Sequence, residues 1–155
     1  MMTLTLIQAA IFVSYVTFLL IKFKGPLPSI SESWYALGSP LNVLFTLFCF
    51  ALSITMCFHI SDGWGGLFFL SGAGLGFVGA ATAFKDKFVR PIHFGGAMAG
   101  IIGALLGIWL TLGDILPFIV WAIITILLLG FKAKNAMWWL EIAAFACIVC
   151  GFLLN

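Results

Sequence analysis

Apolar residues run along this chain in six long blocks, each broken by a short cluster of proline, glycine or charge. A helix that crosses a membrane needs about 20 predominantly apolar residues. The blocks predict spans at about 3–23, 41–60, 64–84, 92–112, 115–131 and 136–154, the fifth being the shortest. The punctuation agrees with helix starts. Ser39-Pro40 reads as N-cap and first helical position of the second span, and Pro91 opens the fourth. Asp114 reads as the cap of the fifth span, with Pro117 in its first turn where a missing N–H does little harm, and Asn135 as the cap of the sixth. Trp34, Tyr35, Trp64, Trp138 and Trp139 fall near the predicted membrane interfaces, where amphipathic rings settle.

Composition strengthens this reading. Only 8% of the 155 residues are charged and 64% are hydrophobic, whereas soluble domains carry roughly 25% charge. The expected fold is therefore all-α, a polytopic integral membrane protein of six transmembrane helices forming a single domain over residues 1–155. A net charge of +2 gives no reason to invoke nucleic acid. The first span lacks a basic leader and a small-residue cleavage site, and it ends in Lys22 and Lys24, as a retained span does. Cys49, Cys57, Cys147 and Cys150 all lie in apolar runs and read as inert thiols. This includes Cys147-x-x-Cys150, which has no βαβ context.

Charge placement sets an orientation. Lys22 and Lys24 follow the first span; Lys85, Lys87 and Arg90 lie between the third and fourth; Lys132 and Lys134 lie between the fifth and sixth. All seven basic residues thus fall in alternate loops, and the positive-inside rule makes those loops cytoplasmic and both termini external. The first of these loops, KGPLPSISESWYALGS, is the longest. Pro26 and Pro28 disfavour helix there, and Trp34-Tyr35 return the chain to the membrane surface. It reads either as a re-entrant or interfacial segment packed on the bundle or as a flexible tether.

Small residues suggest where helices meet. Gly72, Gly74, Gly76 and Gly79 dot the third span, and Gly95, Gly96, Gly100, Gly103 and Gly107 the fourth. Glycines four apart make flat strips that let helix backbones approach. The third and fourth spans are expected to form a tight antiparallel pair at the centre, with the bulkier first, second and fifth spans outside. Gly74-x-Gly76-x-x-Gly79 matches a dinucleotide fingerprint but has no preceding strand, so it reads as packing glycine.

Ionisable groups at membrane depth are costly and are the first candidates for function. On the cytoplasmic side these are Glu32, Asp86, Arg90, His93 and Glu141, with Lys85 and the serines Ser29, Ser31 and Ser33 nearby. They are expected to form a polar binding pocket, with the Glu32 carboxylate reaching His93 or Arg90 directly or through one water. Glu141 must point into the bundle, snorkel, or pair with a base such as Lys132 or Arg90. The alternative is a set of interfacial ion pairs that pins helix ends. On the outer side are His59, Asp62 and Asp114, of which His59 reads as a hydrogen-bonded interfacial histidine. Intramembrane zinc hydrolases of the alkaline ceramidase and adiponectin-receptor type use three histidines. This chain has two, predicted on opposite sides, so no metal, no cofactor and no catalytic residue is expected.

Two pieces of the chain resemble a known superfamily. Ser29-Ile30-Ser31-Glu32 follows the first span, and His93-x-x-Gly96-Ala97 opens the fourth after a charged residue. Six-span proteins that include the damage-regulated autophagy modulators and the GPI-anchor lipid-remodelling factor carry similar segments. The chain also resembles small six-span proteins of gut bacteria and their phages, which carry GxxFVGAAxxF before the histidine, here Gly74 to Phe84. The resemblance implies a lipid-binding or membrane-organising role without supplying a reaction, and a bacterial inner membrane as the location. One departure stands out: the eukaryotic members are thought to hold the first loop on the luminal side, whereas the charges here place it in the cytoplasm. Membrane lipid is the expected partner, with a second copy of the chain or another membrane protein as the alternatives. The competing functional class is an intramembrane lipid-modifying enzyme, and a third is a structural membrane subunit.

Overall fold

The computed structural model describes residues 2–59 and 63–155. They form seven α-helices and one 3-10 turn, with no strand among the described residues. Asp62 and the predicted end of the second span at Ile60 lie outside them. The helices are α1 (Met2–Phe23), α2 (Ser33–Leu37), α3 (Val43–Cys57), α4 (Gly66–Ala80), α5 (Arg90–Leu112), α6 (Leu116–Gly130) and α7 (Ala136–Leu153). Four helical stretches are long and apolar enough to cross a membrane: α1, the 3-10 turn Gly63–Gly65 together with α4, α5, and α7. The other two apolar helices, α3 and α6, are shorter.

The helices close into a ring. Neighbours pack in the order α1, α3, α4, α5, α7 and back to α1, while α6 lies outside against α7 and α5. Burial follows this arrangement. Pro117 is the buried residue of α6, whereas α3 buries Phe45, Phe48, Cys49, Leu52, Ser53 and Met56. The sequence expectation that the first and second spans are peripheral is therefore corrected, since α1 also lies in the ring, packed on α7 and α3. Glycine explains the difference for α3, because the strip Gly72, Gly76 and Gly79 on α4 faces α3, against Ser53, Cys57 and Cys49. The opposite side of α4 meets α5 through Gly74. A Cβ there would fall 2.5 Å from the Gly96 carbonyl oxygen and 2.6 Å from the Gly100 nitrogen. The α4–α5 pair is indeed the most intimate in the ring. Two hydroxyls reinforce these seams. Ser53 Oγ donates to the Gly72 carbonyl at 2.6 Å, and Ser71 Oγ to the Gly100 carbonyl at 2.5 Å.

Helix starts differ in detail from the sequence reading. Asn42, not Ser39, is the N-cap of α3, and residues 39–42 form turns before it. Ile115, not Asp114, is the N-cap of α6, although the Asp114 carboxylate just before it accepts the Leu116 N–H at 2.9 Å. Asn135 precedes α7, but its amide donates to the Pro26 carbonyl at 3.1 Å rather than closing its own helix. Trp139 is 45% exposed and Trp64 59%, as interface residues would be, but Trp138 is fully buried.

Candidate functional site

The first loop is packed into the bundle along the start of α7. Pro26 and Pro28 hold it extended and carry no N–H of their own, which leaves their carbonyls to meet the open N–H groups at a helix start. Asn135 Nδ2 donates to Pro26 O, and the Trp138 backbone N–H donates to Pro28 O at 3.2 Å. Two residues on, the Ile30 backbone N–H donates to Glu141 Oε2 at 2.5 Å. Ile30, Ser31 and Ser33 are buried, and Ser33 Oγ shares a 2.7 Å hydrogen bond with the Tyr15 hydroxyl of α1. Of the two readings of this loop, the packed segment is the one found.

Ser31 then meets the start of α5. Its Oγ lies 3.0 Å from His93 Nε2. The other ring nitrogen, Nδ1, lies 2.9 Å from the carbonyl oxygen of Ala81. That carbonyl is available because α4 ends at Ala80, and the last carbonyls of a helix have no partner within it. The imidazole is 3% exposed and packs against the Phe84 ring at a centroid distance of 4.7 Å. On its other side, the Ser31 hydroxyl lies against the Glu141 carboxyl. Glu141, Ser31, His93 and the Ala81 carbonyl thus form one run of polar groups across four segments, α7, the first loop, α5 and the end of α4.

The remaining candidates stand apart from this chain. Glu32 does not reach His93 or Arg90; it pairs with Lys85 Nζ at 2.9 Å. The Lys85 backbone N–H donates to the Tyr35 hydroxyl at 2.9 Å, and its ammonium sits 4.3 Å from the Tyr35 ring centre. This is a surface latch between the first loop and the α4–α5 loop, with the Lys85 side chain 56% exposed. Asp86 accepts the Phe88 and Val89 N–H groups at 2.8 and 3.4 Å and so shapes the entry to α5. Arg90 lies over the Phe94 ring, 5.6 Å from its centre. Of the five predicted residues, His93 and Glu141 come together, and Ser31 joins them.

A cavity of about 100 Å³ occupies the middle of the ring. All five ring helices and the packed loop contribute to its wall, and α6 does not. The wall is apolar, with Phe12, Phe48, Leu52 and Phe145 prominent, and polar groups at two places. Ser31 and Glu141 mark the loop end. Glu141 is surrounded by protein yet retains some accessible surface, because it borders this space. Gln8 of α1 also lines the cavity. Its Oε1 takes a 3.2 Å hydrogen bond from His59 Nε2, while its Nε2 finds no partner among the described residues. His59, two residues past the end of α3, is buried and stacks on Phe152 at 4.1 Å.

No family model, no curated protein and no solved structure matches this chain. Its chemistry is therefore read from its own side chains. Sequence reasoning missed Gln8, although a single primary amide in an apolar run is a legible signal, since an amide in hydrocarbon needs a partner. It also missed the buried Tyr15. Ser31 was grouped with Ser29 and Ser33, and nothing in the local sequence separates the serine that meets His93 from its neighbours. The Ala81 carbonyl carries no sequence signal beyond the helix end itself.

Proposed function

We propose that this chain is a six-span membrane protein that holds the apolar part of a lipid or small amphipath inside its helix ring. The polar group of the guest lies toward Ser31 and Glu141, near the cytoplasmic leaflet. The observation that carries this reading is the central cavity, apolar along its wall, with a serine and a carboxyl at its loop end. At about 100 Å³ the enclosed volume is smaller than the apolar cavity of about 150 Å³ that takes benzene, so it suits a short length of chain. The cavity is partly open, and a longer tail continues outward through the opening.

Six spans follow if α3 and α6 cross with their flanking turns. The 15-residue helix α3 is about 22 Å long at 1.5 Å per residue, and hydrogen-bonded turns before and after it, from Pro40 and up to His59, lengthen it toward the hydrocarbon thickness. The basic loops then face the cytoplasm, and the packed loop with Ser31 lies on that side. The test is native mass spectrometry of the full chain released from mild detergent. The expected result is a bound lipid or fatty acid that survives delipidation and is lost in Ala144→Phe, which fills the cavity from α7. A chain that carries no adduct, or one retained equally in Ala144→Phe, overturns the proposal.

A further inference from the structure

We infer that Ser31 is a nucleophile, with His93 as its general base, that accepts the acyl group of an ester-linked lipid seated in the cavity. This rests on the binding function proposed above and adds chemistry to it. The Ala81 carbonyl oxygen facing His93 Nδ1 is an acceptor only, so Nδ1 carries the hydrogen. In the neutral ring Nε2 then carries a lone pair, directed at Ser31 Oγ 3.0 Å away. The hydroxyl has one hydrogen and two acceptors in reach, His93 Nε2 and the Glu141 carboxyl, and the rotamer that gives it to Nε2 is the one that leaves the oxygen lone pairs for attack. A hydroxyl within reach of a base, itself oriented by a third group, is the arrangement that activates serine. Here a backbone carbonyl supplies the orientation that a carboxylate supplies elsewhere.

The placement of the pair favours chemistry over packing alone. Ser31 lines the cavity and His93 does not. Ser31 therefore stands between the cavity and the base, which packs against Phe84. Glu141 is a positioning residue, since its Oε2 holds the Ile30 N–H and with it the backbone that presents Ser31. The apolar wall selects the substrate class, an acyl ester whose chain lies among Phe48, Leu52 and Phe145.

The step balances as follows. Ser31 Oγ bonds to the ester carbonyl carbon while its proton passes to His93 Nε2. The ester C–O bond then breaks, and Nε2 returns the proton to the departing alkoxide. The products are an acyl ester on Ser31 and a free alcohol. Attack by water or by a second alcohol reverses the sequence and releases the acyl group as an acid or a new ester.

The test uses the full chain in detergent micelles and a fluorophosphonate carrying a short alkyl chain, with adducts located by peptide mass spectrometry. The expected result is one phosphonyl adduct on Ser31, absent in Ser31→Ala and formed about 100-fold more slowly in His93→Gln. That variant retains a donor and an acceptor but no basic nitrogen. If it does not fold, the pH profile of the parent decides. Labelling that falls at acid pH through a single ionisation supports the base, and a rate independent of pH overturns it. No adduct on the parent, or an adduct on Ser31 that forms at the same rate in His93→Gln, also overturns the inference. A parallel photoactivatable fatty acid separates the two ideas. Cross-linking without a phosphonyl adduct removes the nucleophile and leaves the binding site, whereas a Ser31 adduct without cross-linking upholds the nucleophile and removes the proposed guest.

Discussion

At the scale of single residues, what matters is how each polar group is satisfied. Glu141 is legible in the sequence as an acid a little inside the sixth span, but its partner is not. The sequence suggests a lysine or arginine, and the partner found is the backbone N–H of Ile30, 111 positions away. Backbone groups have no residue identity, so pattern reasoning cannot single one out. His93 is equally legible, while the Ala81 carbonyl opposite it exists only because α4 stops one residue earlier. Glu32 went the other way, since its depth was overestimated and its partner is the exposed Lys85. These environments predict different costs. Glu141→Ala strands the Ile30 N–H and is expected to destabilise by about 1–3 kcal/mol, whereas Glu141→Gln keeps an acceptor oxygen and loses much less. Lys85→Ala breaks an exposed pair and should cost less than about 1 kcal/mol. Thermal melts of the three variants in the same detergent check the order, and a Lys85→Ala loss as large as that of Glu141→Ala would contradict the assignment of the interior.

At the scale of elements, glycine decides which helices touch. The sequence shows that α4 and α5 carry glycines four apart, and that pairing is found. It does not show that α4 uses two faces, because adjacent strips on one helix look alike in one dimension. The strip Gly72, Gly76 and Gly79 brings α3 inward, and Gly74 alone on the other side meets the α5 backbone. Added methyl groups should therefore act very unequally. Gly74→Ala places a Cβ against two backbone atoms of α5 that cannot move aside, and an overpacking cost of about 1–3 kcal/mol is expected. Gly95→Ala meets nothing within 4 Å, and alanine is favoured over glycine in a helix by up to about 1 kcal/mol. Gly95→Ala should melt at or above the parent and Gly74→Ala well below it. The reverse order would mean that α4 and α5 are not packed in this register.

At the scale of the whole molecule, the blocks of apolar residues point to an all-α fold, which is found, and the basic loops suggest a sidedness, but neither points to the ring. α1 and α7 meet directly, Phe12 stacking on Phe145, and the first loop, whose prolines and serines could equally have formed a tether, closes over one end. It closes because its carbonyls find the open start of α7 and its Ser31 finds His93. For the proposed topology, a reporter active only outside the cytoplasm and fused after Asn155 should be active, and a cytoplasmic reporter at the same place silent. The opposite pair of results would invert the membrane orientation and place Ser31 at the outer leaflet. The account as a whole stands on a guest inside the ring, and a diazirine-bearing fatty acid cross-linked to the full chain and mapped by peptide tests this most directly. The account predicts label on the cavity wall at Phe48, Leu52, Phe145 and Ile148, lost in a folded Ala144→Phe variant. Label confined to the outward residues Leu47, Ile54 and Ile126, unchanged in Ala144→Phe, would contradict it.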